Sequence, residues 1–88
     1  IELFVAQVND ARRAFATPMT TTAWRFLTHT LKGAAASVGA LRIAQLAGDW
    51  ELAGTPQDNS RRQEIAEQFS DEAEAFMAQT LSYLPDQG

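Results

Sequence analysis

Only one histidine, His29, is available in this sequence to act as a nucleophile, and its neighbours decide what chemistry it would suit. There is no cysteine, so thiolate nucleophiles, disulfides and thiolate metal sites are excluded. A metal or haem site needs more ligands than one histidine supplies. An exposed imidazole, by contrast, is substantially neutral near pH 7 and can attack an electrophile unaided. At helical spacing Arg25 (i−4), Lys32 (i+3) and Gly33 (i+4) share its face, and Ala36 lies two turns along. Lys32 and Arg25 would balance a dianionic phosphoryl group through charge-assisted hydrogen bonds. Glycine inside a helix is a loss of stability. Beside an exposed histidine, Gly33 and Ala36 would keep the surface low enough for a partner to reach the ring. Plainer readings stand next to this one: His29 as an incidental surface residue, and Gly33 as a point of close helix approach. Phe26, on the same open side, is either part of a docking patch or packs under the preceding helix, the latter favoured.

The elements that carry these residues follow from periodicity. Ile1, Phe4, Val8, Ala11 and Phe15 form an i, i+3/i+4 stripe, predicting a first helix to about Ala16. Thr17-Pro18 breaks it, and Thr20 or Thr21 is suited to cap the next helix, from about Thr22 to Ser37. With Trp24 at zero and about 100° per residue, Leu27, Leu31, Ala34, Ala35 and Val38 fall in an apolar arc centred near 320°. His29 then falls near 140°, opposite the arc and out of the core. Gly39 stands where a left-handed cap residue is wanted. A third helix is expected from Leu41 to Ala53, burying Ile43, Leu46, Ala47 and Trp50. Gly48 within it points to close packing or a bend.

Gly54-Thr55-Pro56-Gln57-Asp58-Asn59 reads as a loop. Ser60 with Gln63 forms a capping-box pattern ahead of a last helix. That helix carries Ile65, Phe69, Ala73, Phe76 and Leu84 on one side and ends before Pro85. Asp71, Glu72 and Glu74 on its flanks read as a solvated acidic face. No alternating strand pattern or repeat is present. The expected fold is all-α: an antiparallel up-down-up-down four-helix bundle occupying residues 1–88 as one domain.

Composition narrows the partners. The 88 residues are 45% hydrophobic, with seven basic and eleven acidic side chains and a net charge of −4. The only adjacent basic pairs are Arg12-Arg13 and Arg61-Arg62, so nucleic acid is a poor main ligand. No apolar run approaches the ~20 residues a membrane helix needs, and no signal-peptide pattern appears. The sequence begins at Ile1 already inside an amphipathic pattern, which suggests a piece of a longer protein or a trimmed start.

The run His29-Thr30-Leu31-Lys32-Gly33-Ala34-Ala35-Ala36-Ser37-Val38-Gly39-Ala40 resembles the signature of histidine-containing phosphotransfer (HPt) domains, H-x-[LI]-K-G-[SA]-[SA] with a glycine ten residues after the histidine. The likeness continues through Leu41, Leu46, Ala47 and Trp50 to Glu51. Many members of that family carry a further short helical segment ahead of the bundle, and the resemblance implies that it would be missing or shortened in this sequence. The resemblance implies a phosphorelay intermediate in which His29 accepts a phosphoryl group from a receiver-domain aspartate and donates it to another. It implies that Lys32 offsets phosphoryl charge, that Gly33 leaves room for the receiver, and that Glu51 hydrogen-bonds the histidine Nδ1–H. Glu51 would have to reach His29 around the edge of the helix pair.

The implied partners are receiver domains of response regulators or of a hybrid histidine kinase, and the isolated domain would be a monomer. No cofactor is expected on the domain, the magnesium being held by the receiver's carboxylates. No Gly-rich nucleotide loop is present, so the module would relay phosphate without autokinase activity. A cytoplasmic location fits, with the parent chain open to membrane anchoring. The alternative is a helical docking or adaptor bundle that binds a receiver without being phosphorylated. A chemotaxis-kinase phosphotransfer domain is a near relative of the same reading. A histidine-kinase dimerisation domain is remote, because Thr30 and not an acid follows His29.

Overall fold

A computed structural model describes residues 2–83, which form four helices: α1 (Glu2–Phe15), α2 (Thr21–Ser37), α3 (Leu41–Ala53) and α4 (Asn59–Tyr83). Ile1, Leu84 and Pro85, which the periodicity placed in or just after the helical stripes, lie outside the described residues. Each helix packs on its neighbour in sequence, and α1 closes the ring against α4. Short connections between consecutive helices favour the antiparallel bundle the pattern predicts.

Local chemistry sets the ends. Thr20, extended at φ −71° and ψ 162°, accepts a hydrogen bond from the Ala23 N–H and caps α2. At the other end of α2, the Gly39 N–H donates to Ala36 O (3.2 Å) and the Ala40 N–H to Ala35 O (2.8 Å). This 5→2 and 6→1 pair needs a left-handed residue between them, and Gly39 supplies it at φ +81°. The result is a three-residue link that sends α3 straight back along α2. The start of α4 differs from expectation. Asp58, not Ser60, is the capping residue, since its carboxylate accepts from the Arg61 N–H at 2.8 Å. Ser60 already lies inside the first turn.

One core runs through the bundle. Phe15 sits at its centre, with ring centroids 5.4 Å from Trp24, 5.3 Å from Trp50 and 5.2 Å from Phe69, all edge-on. Contacts of this geometry add about 0.5–1.5 kcal/mol each beyond simple burial. The Trp24 Nε1–H donates to Trp50 O at 3.0 Å, tying α2 to the end of α3. At the other end, Phe4 meets Phe76 edge-on at 5.7 Å, joining α1 to α4. The flank of α4 is not simply a solvated acidic face. Glu72 faces Arg42 at 3.4 Å and Glu74 faces Arg12 at 3.8 Å, so two of the three acids there bridge to other helices.

Candidate functional site

The rotation of α2 decides where His29 points. The buried residues of this helix are Trp24, Thr28, Leu31 and Ala35, while Leu27, Ala34 and Val38 are only half-buried. On the same wheel the buried arc is therefore centred near 10° and not 320°, a turn of about 50° from the sequence reading. Most of this turn comes from Leu27, Ala34 and Val38 giving way to Trp24, Leu31 and Ala35, and about 10° of it from Thr28. The Thr28 hydroxyl donates to Trp24 O at 2.9 Å, which lets a polar side chain enter the core fully satisfied. His29 is consequently not opposite the core but about 130° from its centre, on the side that faces α3.

That orientation removes the difficulty of bringing Glu51 to the ring. His29 is exposed (74% of its side chain), and its Nδ1 lies 3.3 Å from Oε2 of Glu51, whose side chain is only 25% exposed. This separation is just beyond the usual N–H···O hydrogen-bond range, so the pair is a close electrostatic contact. Nε2, across the ring, is the nitrogen that does not face Glu51. Arg25, His29, Lys32, Gly48, Asp49, Glu51 and Leu52 line one shallow depression between α2 and α3. The structure thus brings together His29, Lys32, Glu51 and Arg25.

Gly33 and Ala36 are both exposed, and a Cβ added at Gly33 would meet nothing within 4 Å. Gly33 does not serve close helix approach among the described residues. Phe26 departs from the favoured expectation. It does not pack under α1 but is 72% exposed, with its flank bordering the groove between α1 and α2. Leu52, overlooked at the sequence level, is 89% exposed on the rim of the His29 depression. Its signal was present, because it falls off the apolar stripe of α3 beside Glu51. Gly48 marks no close helix approach: a Cβ added there would meet only the stem of Lys32, at ordinary contact distance.

Among the described residues no group of three or more His, Asp and Glu could hold a metal ion, and no helix is long and apolar enough to cross a membrane. The fold and site together define a helical module that offers one surface imidazole, backed by a carboxylate and flanked by cations. The family model of the Hpt domain matches residues 2–84, and the chain belongs to that family. Its general role is histidine phosphotransfer in phosphorelays, where Hpt domains carry phosphate and engage receiver domains of response regulators. Comparisons with curated proteins and with solved structures found no match.

Proposed function

We propose that His29 Nε2 accepts a phosphoryl group from a receiver aspartate and returns it to the aspartate of another receiver. The observation that carries this reading is the 3.3 Å approach of Glu51 to Nδ1 of an exposed histidine. A carboxylate there holds the proton on Nδ1, leaving the Nε2 lone pair free to attack. In the step, the Nε2–P bond forms as the bond from phosphorus to the aspartyl oxygen breaks, and the carboxylate departs. Positive charge developing on the ring is shared with Nδ1–H, where Glu51 offsets it. Lys32 and Arg25 balance the phosphoryl oxygens. Phosphoryl transfer asks mainly for such positioning and charge compensation. Magnesium comes with the receiver's carboxylates.

Gly33 and Ala36 form the low platform on which the receiver sits, and Phe26 and Leu52 supply its apolar edges. In this reading the domain acts as a monomer in the cytoplasm, and a hybrid sensor kinase is the arrangement we favour for its parent. The test is incubation with a phosphorylated receiver domain, followed by acid or base. A histidine N-phosphate is lost in acid and survives base. His29→Gln should abolish labelling while helical circular dichroism and melting stay nearly unchanged. A receiver that binds but leaves no base-stable label on wild type would make this a docking bundle instead.

A further inference from the structure

We propose that Gly48 is a positioning residue for Lys32: the missing side chain on α3 leaves the trough along which the lysine stem lies, and this aims its ammonium at the His29 site. The inference rests on the reading of His29 as the phosphoryl acceptor. Gly48 is in mid-helix with no positive φ to require glycine, so what its bare surface does is set by the side chain that lies over it. A Cβ built there would lie 3.7 Å from Cδ and 3.8 Å from Cε of Lys32, and within 4 Å of no other side chain among the described residues. The space is therefore specific to one neighbour.

The register explains why. Glu51 follows Gly48 by three residues, one turn along the same face of α3, and His29 precedes Lys32 by three on α2. In an antiparallel pair these are two successive rungs, Lys32 on Gly48 and His29 on Glu51. No ion pair fixes the Lys32 ammonium among the described residues, so packing of the stem is what directs it. Lysine keeps four rotatable bonds, and a stem laid against backbone loses sideways freedom that an open surface would leave it.

The probe is phosphoramidate, a small donor that removes receiver docking from the comparison. Its P–N bond breaks, ammonia leaves with a proton, and the Nε2–P bond forms. Gly48→Leu fills the trough and should slow His29 phosphorylation about tenfold, matching Lys32→Ala. Gly48→Ala, whose Cβ stays at ordinary contact distance from the stem, should cost less than about twofold. In the Lys32→Ala background, Gly48→Leu should add no further loss. An undiminished loss there, or no loss in the wild-type background, overturns the assignment. Nuclear Overhauser contacts between Gly48 Hα and the Lys32 Hδ and Hε protons read the packing without any phosphoryl transfer. Their absence in the wild-type chain also overturns it, whereas labelling of His29→Gln would instead sink the acceptor reading.

Discussion

At the scale of single residues, the site depends on which imidazole nitrogen keeps its proton. On the proposed reading, Glu51→Ala removes the carboxylate beside Nδ1, so the population of the Nε2–H tautomer should rise and transfer should slow about fivefold to tenfold. Glu51→Gln keeps a carbonyl acceptor at the same reach and should retain most of the Nδ1–H form. The ring ¹⁵N shifts report the tautomer directly, and equal spectra for wild type and Glu51→Ala would remove Glu51 from the site. On the proposed reading Lys32 acts through its charge. Lys32→Ala should slow transfer in both directions and lower the steady state of phosphorylated His29. Lys32→Arg should recover part of the loss, limited by the different reach of a planar guanidinium. The effect should shrink at high salt, because the depression is open to solvent. Arg25→Ala, outside the signature, should matter less. Stopped-flow rates with a phosphorylated receiver at two ionic strengths decide the order.

At the scale of elements, the α2–α3 hairpin is the unit that builds the site. Its register is fixed at two ends, by the Gly39 turn and by the Trp24 Nε1–H bond to Trp50 O. Gly39 at φ +81° is a conformation that costs an L residue about 1–2 kcal/mol. Gly39→Ala should therefore lower stability by that amount, read as a drop in the urea midpoint with little change in its slope. Space is not the issue, since an added Cβ would meet nothing within 4 Å. An unchanged midpoint would show that the turn relaxes to another form without penalty.

At the scale of the whole molecule, four helices share one aromatic centre. Phe15 is fully buried and touches rings from α2, α3 and α4, so it is the residue through which the bundle is cooperative. Phe15→Ala should cost about 3–5 kcal/mol. For a domain of this length total stability is only about 4–13 kcal/mol, so that loss is a large share of it. Thermal denaturation followed by circular dichroism should show a strongly lowered and broadened transition. The interhelical pairs Arg12–Glu74 and Arg42–Glu72 are solvent-accessible on at least one partner and contribute far less.

Helix number, the helix limits between Phe15 and Asn59 to within a residue or two, and the exposure of His29 were all legible in the sequence. They follow from apolar spacing and from short-range signals at Thr20, Gly39 and Pro18, which act through the local backbone. What needed the tertiary structure was rotation and register. Hydropathy is blind to which side chains a neighbour covers: it centres the buried arc of α2 on Leu27, Ala34 and Val38, which stay half-buried, while Trp24, Leu31, Ala35 and Thr28, whose hydroxyl bonds the i−4 carbonyl of its own helix, are the buried ones. The same blindness set Phe26 under α1 and left Glu51 out of easy reach. Local pattern also could not choose between Ser60 and Asp58 as the cap of α4, since both are good capping residues and the path of the preceding loop selects one. Gly48 shows the limit most clearly: its use lies in the side chain of Lys32, which reaches it only once α2 and α3 are laid antiparallel in a single register.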